Sequence, residues 1–206
     1  MYKEVKHPLV SHKLAKLRDK ATPSEEFRRL ASELAEFVVF EALREMPTRK
    51  VAVETPLEVA ECEELGAPII FIPILRAGVG MLDAATKLVP TARVGFLGMC
   101  RDHETAQPIE YYSNIPEPEA DSIAIVIDPM LATGGSAIDA INSIKARGGK
   151  DITFLCIIAA PEGLTKLAAA HPDVKIYVGN LDRELNENAY ICPGLGDAGD
   201  RIFGTK

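Results

Sequence analysis

The chain has 206 residues, 47% of them hydrophobic and 26% charged. At ~150 residues per domain this is one domain spanning 1-206, and a chain of this length buries roughly 70% of its unfolded surface, which excludes intrinsic disorder. Its 23 basic and 30 acidic residues leave a net charge of −7, so there is no general polyanion-binding face and nucleic acid is not expected as a partner. No apolar run approaches the ~18 residues of a membrane span and Met1 to His7 has no apolar region, so no membrane association and a cytoplasmic location are expected. The 4 cysteines, Cys62, Cys100, Cys156 and Cys192, form no CxxC pair and have no nearby histidine. They are expected to be reduced and mostly buried.

Thr22-Pro23-Ser24-Glu25 has the form of a capping box, and apolar residues follow at Phe27, Leu30, Ala31, Leu34 and Val38, which predicts a helix from Pro23 to Arg44. Short apolar runs then alternate with helical stretches. Strands are expected at Pro68 to Leu75, Ala92 to Cys100, Ser122 to Ile127, Asp151 to Ala159 and Val174 to Val178. Helices are expected at Val79 to Leu88, Ser136 to Arg147 and Glu162 to Ala170. Continuous apolar strands alternating with helices indicate an α/β fold, a mostly parallel twisted sheet flanked by helices. Two stretches break the alternation, an acidic, tyrosine-bearing arm over 101-121 and a glycine-rich tail over 181-206. Irregular segments of that length are more often functional than idle.

In open parallel sheets ligands sit beyond the carboxyl ends of the strands. Ile125 to Ala137 reads IVIDPMLATGGSA: a strand delivers Asp128 at its end, and a loop closes on Thr133-Gly134-Gly135-Ser136 where a helix starts. Unpaired amides at such a helix start bind phosphate, and glycine lets the chain approach closely. The same residues are also ordinary punctuation of a strand-turn-helix joint. GxxxxGK[ST] is absent from the chain, so an ATP-hydrolysing P-loop is not supported.

This run resembles the phosphoribosyl-diphosphate signature of the type I phosphoribosyltransferases, with Pro129 at the second acidic position. DPMLATGGSA is similar in particular to the uracil phosphoribosyltransferase branch. The resemblance extends from His7-Pro8-Leu9-Val10 through Val53-Glu54-Thr55-Pro56-Leu57 to Phe203-Gly204-Thr205, nearly the whole length. It implies transfer of the phosphoribosyl group of 5-phospho-α-D-ribose 1-diphosphate to uracil, giving UMP and diphosphate. Arg76, directly after Pro73-Ile74-Leu75, and Arg101, after the next strand, are implied to bind the diphosphate. Asp128 would face the ribose hydroxyls. The loop of Pro129, Met130, Leu131, Ala132, Thr133, Gly134, Gly135 and Ser136 would hold the 5-phosphate.

The tail reads AYICPGLGDAGDR, and Gly194, Gly196 and Gly199 spell a GxGxxG. Too little chain follows for the helix and acidic residue that a dinucleotide site requires. Glycine there suits the presentation of main-chain donors and acceptors to a small planar base. The competing reading is a tight C-terminal turn capped by Asp197 and Asp200. By resemblance, Ile191, Gly196, Asp197 and Ala198 lie at the uracil site and Asp197 also joins the phosphoribosyl-diphosphate site.

Mg²⁺ is expected on the diphosphate of the substrate rather than in a protein cage, since the sequence has no clustered His/Cys motif. GTP or CTP acts as effector in parts of the family, and a homodimer or homotetramer is expected, with the arm as one contact. Departures from the family pattern are Arg101-Asp102-His103-Glu104 in the arm, with His103 expected as a surface residue, and Asn188-Ala189 in place of a glycine-containing turn. A phosphoribosyl-diphosphate-sensing RNA regulator on the same fold is disfavoured by the absence of a basic face, and a transferase for another base is the remaining alternative.

Overall fold

The computed structural model describes residues 2–101 and 108–205, and at 100, 101, 108 and 109 the backbone alone. In chain order the elements are β1 (Tyr2–Glu4), α1 (Pro8–Arg18), α2 (Ser24–Ala42), β2 (Thr48–Glu54), β3 (Val59–Leu65), β4 (Ile69–Leu75), α3 (Val79–Leu88), β5 (Arg93–Val94), β6 (Phe96–Arg101) and β7 (Pro108–Asn114). They continue with β8 (Ile123–Ile127), β9 (Met130–Leu131), α4 (Gly135–Ala146), β10 (Asp151–Ala159), α5 (Pro161–Ala170), β11 (Lys175–Leu181), β12 (Glu184–Leu185), β13 (Ile191–Cys192) and α6 (Ala198–Phe203).

The central sheet runs β1-β11-β10-β8-β4-β6-β7, with β5 beside β4 and β9 beside β10. All of its pairings are parallel except β6 with β7. The apolar runs of the sequence are continuous because both faces of these strands are covered. Ile69, Phe71, Ile123, Ile125 and Ile127 belong to one core, shared with Phe27, Leu34 and Val38 of α2 and Met81 of α3. The alternating residues Ile70, Ile72, Ile74, Ala124 and Val126 belong to a second core with Ala140, Ile141 and Ile144 of α4 and Leu164 and Leu167 of α5. Burying each such aliphatic side chain is worth about 1.5–3 kcal/mol.

Several local expectations change. Helix α2 begins at Ser24 with Pro23 as its cap residue and no side-chain cap bond, because the Thr22 hydroxyl instead donates to the Lys16 carbonyl (2.7 Å). The run Ala92 to Cys100 splits at Gly95, where a Cβ would lie 2.9 Å from Ile115 Cα and Pro116 Cδ. The arm is not wholly irregular, since Pro108–Asn114 is an antiparallel edge strand on β6. Of the described cysteine side chains, Cys156 is buried but Cys62 and Cys192 are half-exposed. Helix α1 went unpredicted because it buries only Val10, Leu14 and Leu17 and is capped by an unusual residue, His7, whose Nδ1 accepts from Leu9 N (3.1 Å). The β2–β3 hairpin carries only a faint period-2 signal, at Ala60 and Cys62, because its residues are nearly all exposed.

Candidate active site

Parallel pairing sets Pro73 opposite Ile127, so Arg76 and Asp128 leave the sheet at the same edge. Arg101 is the last residue of β6, which pairs parallel with β4 through Leu75 and Gly98, and so reaches the same edge by its backbone. Asp102 and His103 lie outside the described residues. The turn carrying Arg76 is pressed onto the strand ends at Gly78, where a Cβ would meet Ile127 O at 2.4 Å and Ile74 N at 2.7 Å. Only glycine permits that approach.

Asp128 N donates to Leu155 O (3.1 Å), fixing the acid at the top of β8. Its carboxyl is half-buried against apolar chain, and this desolvation, reinforced by the negative Asp197 and opposed by the Met130 amide, raises its pKa from 3.8 to about 7. The native state therefore retains a proton that the unfolded chain releases near pH 4, so the stability contribution falls as pH rises from about 4 to about 7 and is level above. The shift amounts to at most ~4 kcal/mol. Asp128→Asn should gain melting temperature over the parent progressively between pH 4 and pH 8; a gain independent of pH in thermal scans would show that the acid is not protonated in the native state.

The loop from Pro129 to Ser136 is held from below as well as at its ends. Met130 and Leu131 form a two-residue strand on Ile158 and Ala159, and the Pro129 carbonyl accepts from Ile157 and Ile158 (3.1 Å each). Leu131 is buried in the core, so its side chain supports the loop rather than facing the cleft. Gly134 sits at φ 80° as the cap residue of α4, and Gly135 and Ser136 are the first residues of that helix, with their amides at its positive end.

Two cavities open above this edge. The first, about 220 Å³, is lined by Arg76, Ala77, Asp128, Pro129, Met130, Ala132, Asp197, Ala198 and Gly199. The second, about 290 Å³, adjoins it through Met130, Ala132 and Asp197 and adds Thr133 and Asn188 to Ile191. The loop and the tail thus meet over the sheet edge and make a divided cleft, as a two-substrate site requires. A larger groove of about 500 Å³ between Phe37, Phe40 and Leu88 lies over α2 and the end of β1, and none of the candidate residues lines it.

The tail contains a helix, contrary to its reading as irregular, but one of only six residues. Asp197 caps it, accepting from Asp200 N (2.9 Å), so its capping role and its place in the cleft coexist. Ala198 faces the first cavity and Ile191 the second, while Gly196 lines neither. Arg76 is 58% exposed and approaches Asp200 at 3.4 Å. Among the described residues no three His, Cys, Asp or Glu side chains converge as a metal cage; Asp128 and Asp197, both at the first cavity, suit a cation that arrives already held by a diphosphate.

A family model described as uracil phosphoribosyltransferase matches residues 4–205. The chain belongs to the uracil phosphoribosyltransferase family. The uracil phosphoribosyltransferase of Clostridium novyi is 52% identical over 98% of this chain and 98% of its own, and that of a Geobacillus species is 53% identical over 97% and 96%. A solved protein from Aquifex aeolicus superposes with a TM-score of 0.95 at 40% identity, covering 100% of this chain and 99% of that one. A hypoxanthine phosphoribosyltransferase from Staphylococcus aureus, 14% identical with a TM-score of 0.51 over 87% and 84%, shares the fold alone. The protein is therefore a pentosyltransferase of the type I phosphoribosyltransferase fold.

Residues to which the sequence assigned no binding role also line or brace the site. Asn188, Ala189 and Tyr190 line the second cavity, and Ala189 occupies φ 61°, the left-handed region that suits the glycine its relatives' pattern led us to expect there. Arg201 stacks over Phe27 at 4.3 Å and donates to the carbonyls of Leu17 and Leu195 (2.9 Å each), tying the tail to the α1–α2 turn. No local motif announces such a pairing.

Proposed function

We propose that the protein, acting as one domain, joins uracil to 5-phospho-α-D-ribose 1-diphosphate in the divided cleft. The observation that carries this reading is the meeting of the DPMLATGGS loop with the glycine-rich tail, through Met130, Ala132 and Asp197, in a chain of this family. The bond from the anomeric carbon to the diphosphate oxygen breaks as the bond to the uracil nitrogen forms, and positive charge develops on the ribose ring. No covalent nucleophile is needed, so orientation and electrostatics supply the acceleration. Arg76 and Arg101 bind the diphosphate, Asp128 accepts from the ribose hydroxyls, and the amides and hydroxyls from Thr133 to Ser136 hold the 5-phosphate. Ile191 and Ala198 present backbone groups to uracil, and Gly196, which lines neither cavity, turns the chain between them at φ 80°. Asp197 would face a Mg²⁺ ion carried on the diphosphate, which would neutralise part of the diphosphate charge.

Labelled uracil should be converted to UMP only with phosphoribosyl diphosphate and Mg²⁺, and EDTA should abolish turnover; conversion of hypoxanthine or cytosine instead of uracil, or turnover in EDTA, would refute the reading. The same assay with GTP and CTP tests the effectors, for which the chain carries no recognised motif. A cytoplasmic enzyme is in keeping with the absence, among the described residues, of a helix long and apolar enough to cross a membrane. A homodimer or homotetramer, with the exposed Tyr111 and Tyr112 of β7 as one contact, is to be read by sedimentation.

Arg76→Ala should raise the KM for phosphoribosyl diphosphate about 10- to 100-fold, the worth of one charge-assisted hydrogen bond, and leave that for uracil within about threefold. The melting point should barely move, since an exposed pair such as Arg76–Asp200 is worth no more than ~1 kcal/mol. A variant that melts several degrees lower with parental kinetics would make the arginine structural.

A further inference from the structure

Three distant segments meet behind the tail around a fully enclosed carboxylate. Asp182 stands at the end of β11, where its backbone N still donates to Ala159 O of β10 (2.8 Å). Its side chain has no exposure. Arg18, the last residue of α1, donates from Nη1 to Asp182 Oδ2 (2.7 Å) and from Nη2 to Oδ1. Asn180 Nδ2 donates to Oδ1 (2.6 Å). The fourth donor is the backbone N of Gly194, to Oδ2 at 2.9 Å, and Arg18 Nη1 also donates to the Gly194 carbonyl at 2.6 Å. Both main-chain polar groups of Gly194 are thus held by one ion pair rooted in the sheet.

Gly194 lies between Ile191 and Gly196, at φ 63°, with its Cα so close to the Ile191 carbonyl that a Cβ would come within 2.0 Å of that oxygen. A shift of Gly194 therefore carries Ile191, which lines the second cavity, along with it. We propose that Arg18 and Asp182 are positioning residues for the base: the pair sets the path of the tail so that its backbone groups match uracil. This rests on the assignment of uracil to the tail. An ion pair so enclosed gains little stability over a well-packed apolar pair, because desolvation offsets the attraction. What an apolar pair could not supply is the pair of directional bonds to Gly194, one donated and one accepted.

The test is steady-state kinetics on Asp182→Asn, Arg18→Lys and the double variant Arg18→Met/Asp182→Leu, with melting curves and calorimetry of phosphoribosyl-diphosphate binding. Turnover of uracil by the unsubstituted enzyme tests the reaction; the ratio of each variant's KM for uracil to the parent's tests the pair. In every variant we expect the uracil KM to rise at least about tenfold, as when a buried polar group loses its match, with the KM for phosphoribosyl diphosphate within about threefold. The double variant removes both charges but leaves Asn180 Nδ2 and Gly194 N without their acceptor, so it should melt below the parent but no lower than either single variant, and still show the raised uracil KM with the phosphoribosyl-diphosphate KM unchanged, which separates positioning from a general loss of stability. Parental uracil KM in the double variant, or an equal rise in both KM values, overturns the proposal.

Discussion

Gly163→Ala is expected to abolish use of phosphoribosyl diphosphate while leaving the protein folded. Gly163 is the third residue of α5, and a Cβ there would lie 2.1 Å from Ala132 O, 2.8 Å from Ala132 C and 3.0 Å from Leu131 O. All three atoms are backbone, so no side-chain rotamer can relieve the overlap. Helix α5 cannot easily retreat, since Leu164 and Leu167 are buried in the second core and Glu162 accepts from Leu185 N (2.9 Å). The loop from Pro129 to Ser136 must move instead, and its part beyond Leu131 lines the cleft through Ala132 and Thr133. A displacement of ~1 Å at such a loop costs about 100-fold in rate, so kcat/KM for phosphoribosyl diphosphate should fall by at least that factor. The melting point should change by only a few degrees, because alanine gains up to ~1 kcal/mol of helix propensity over glycine. Parental kinetics in a folded variant would show that the loop tolerates displacement and is not the phosphate site.

The second large effect is expected at Gly196→Val. Its φ of 80° lies in the left-handed region, which a β-branched residue enters at a cost of about 1–3 kcal/mol. The space around it is open, with Arg201 Cδ the nearest atom to a Cβ at 3.7 Å, so the damage comes from the chain's path rather than from a collision. Valine would turn the peptide between Leu195, which Arg201 holds by its carbonyl, and Asp197, which caps α6. Uracil turnover should collapse, and phosphoribosyl-diphosphate binding by calorimetry should stay within about threefold, since Arg76, Asp128 and the loop are untouched. A variant that converts uracil near the parental rate would remove the tail from the base site.

Much of this was legible in the chain because it is local. The helix Val79–Leu88 and the strand Asp151–Ala159 occur with the expected bounds, since uninterrupted apolar runs and 3.6-residue periodicity directly report burial on two faces or on one. Asp128 and Arg76 could be placed at the crevice because each immediately follows such a run. What went unread has a common character. Helix α1 and the β2–β3 hairpin bury little, so composition does not mark them. Gly163 carries no motif, and its necessity exists only because Ala132 passes within contact of it.

The α/β class, the alternation of buried strands and helices from Ile69 to Leu181, and the residues standing at those strand ends follow from the chain alone, because they depend on apolar periodicity and on turn chemistry within a few residues. Only in the folded molecule does α5 cross Ala132 so closely that Gly163 must be a glycine, does burial raise the pKa of Asp128 to about 7, and do Arg18, Asp182 and Arg201 hold the tail. The reason is physical. Desolvation depends on everything packed around a carboxyl, and hydrogen bonds between residues 164 positions apart exist only once the chain has brought α1, β11 and the tail to one place.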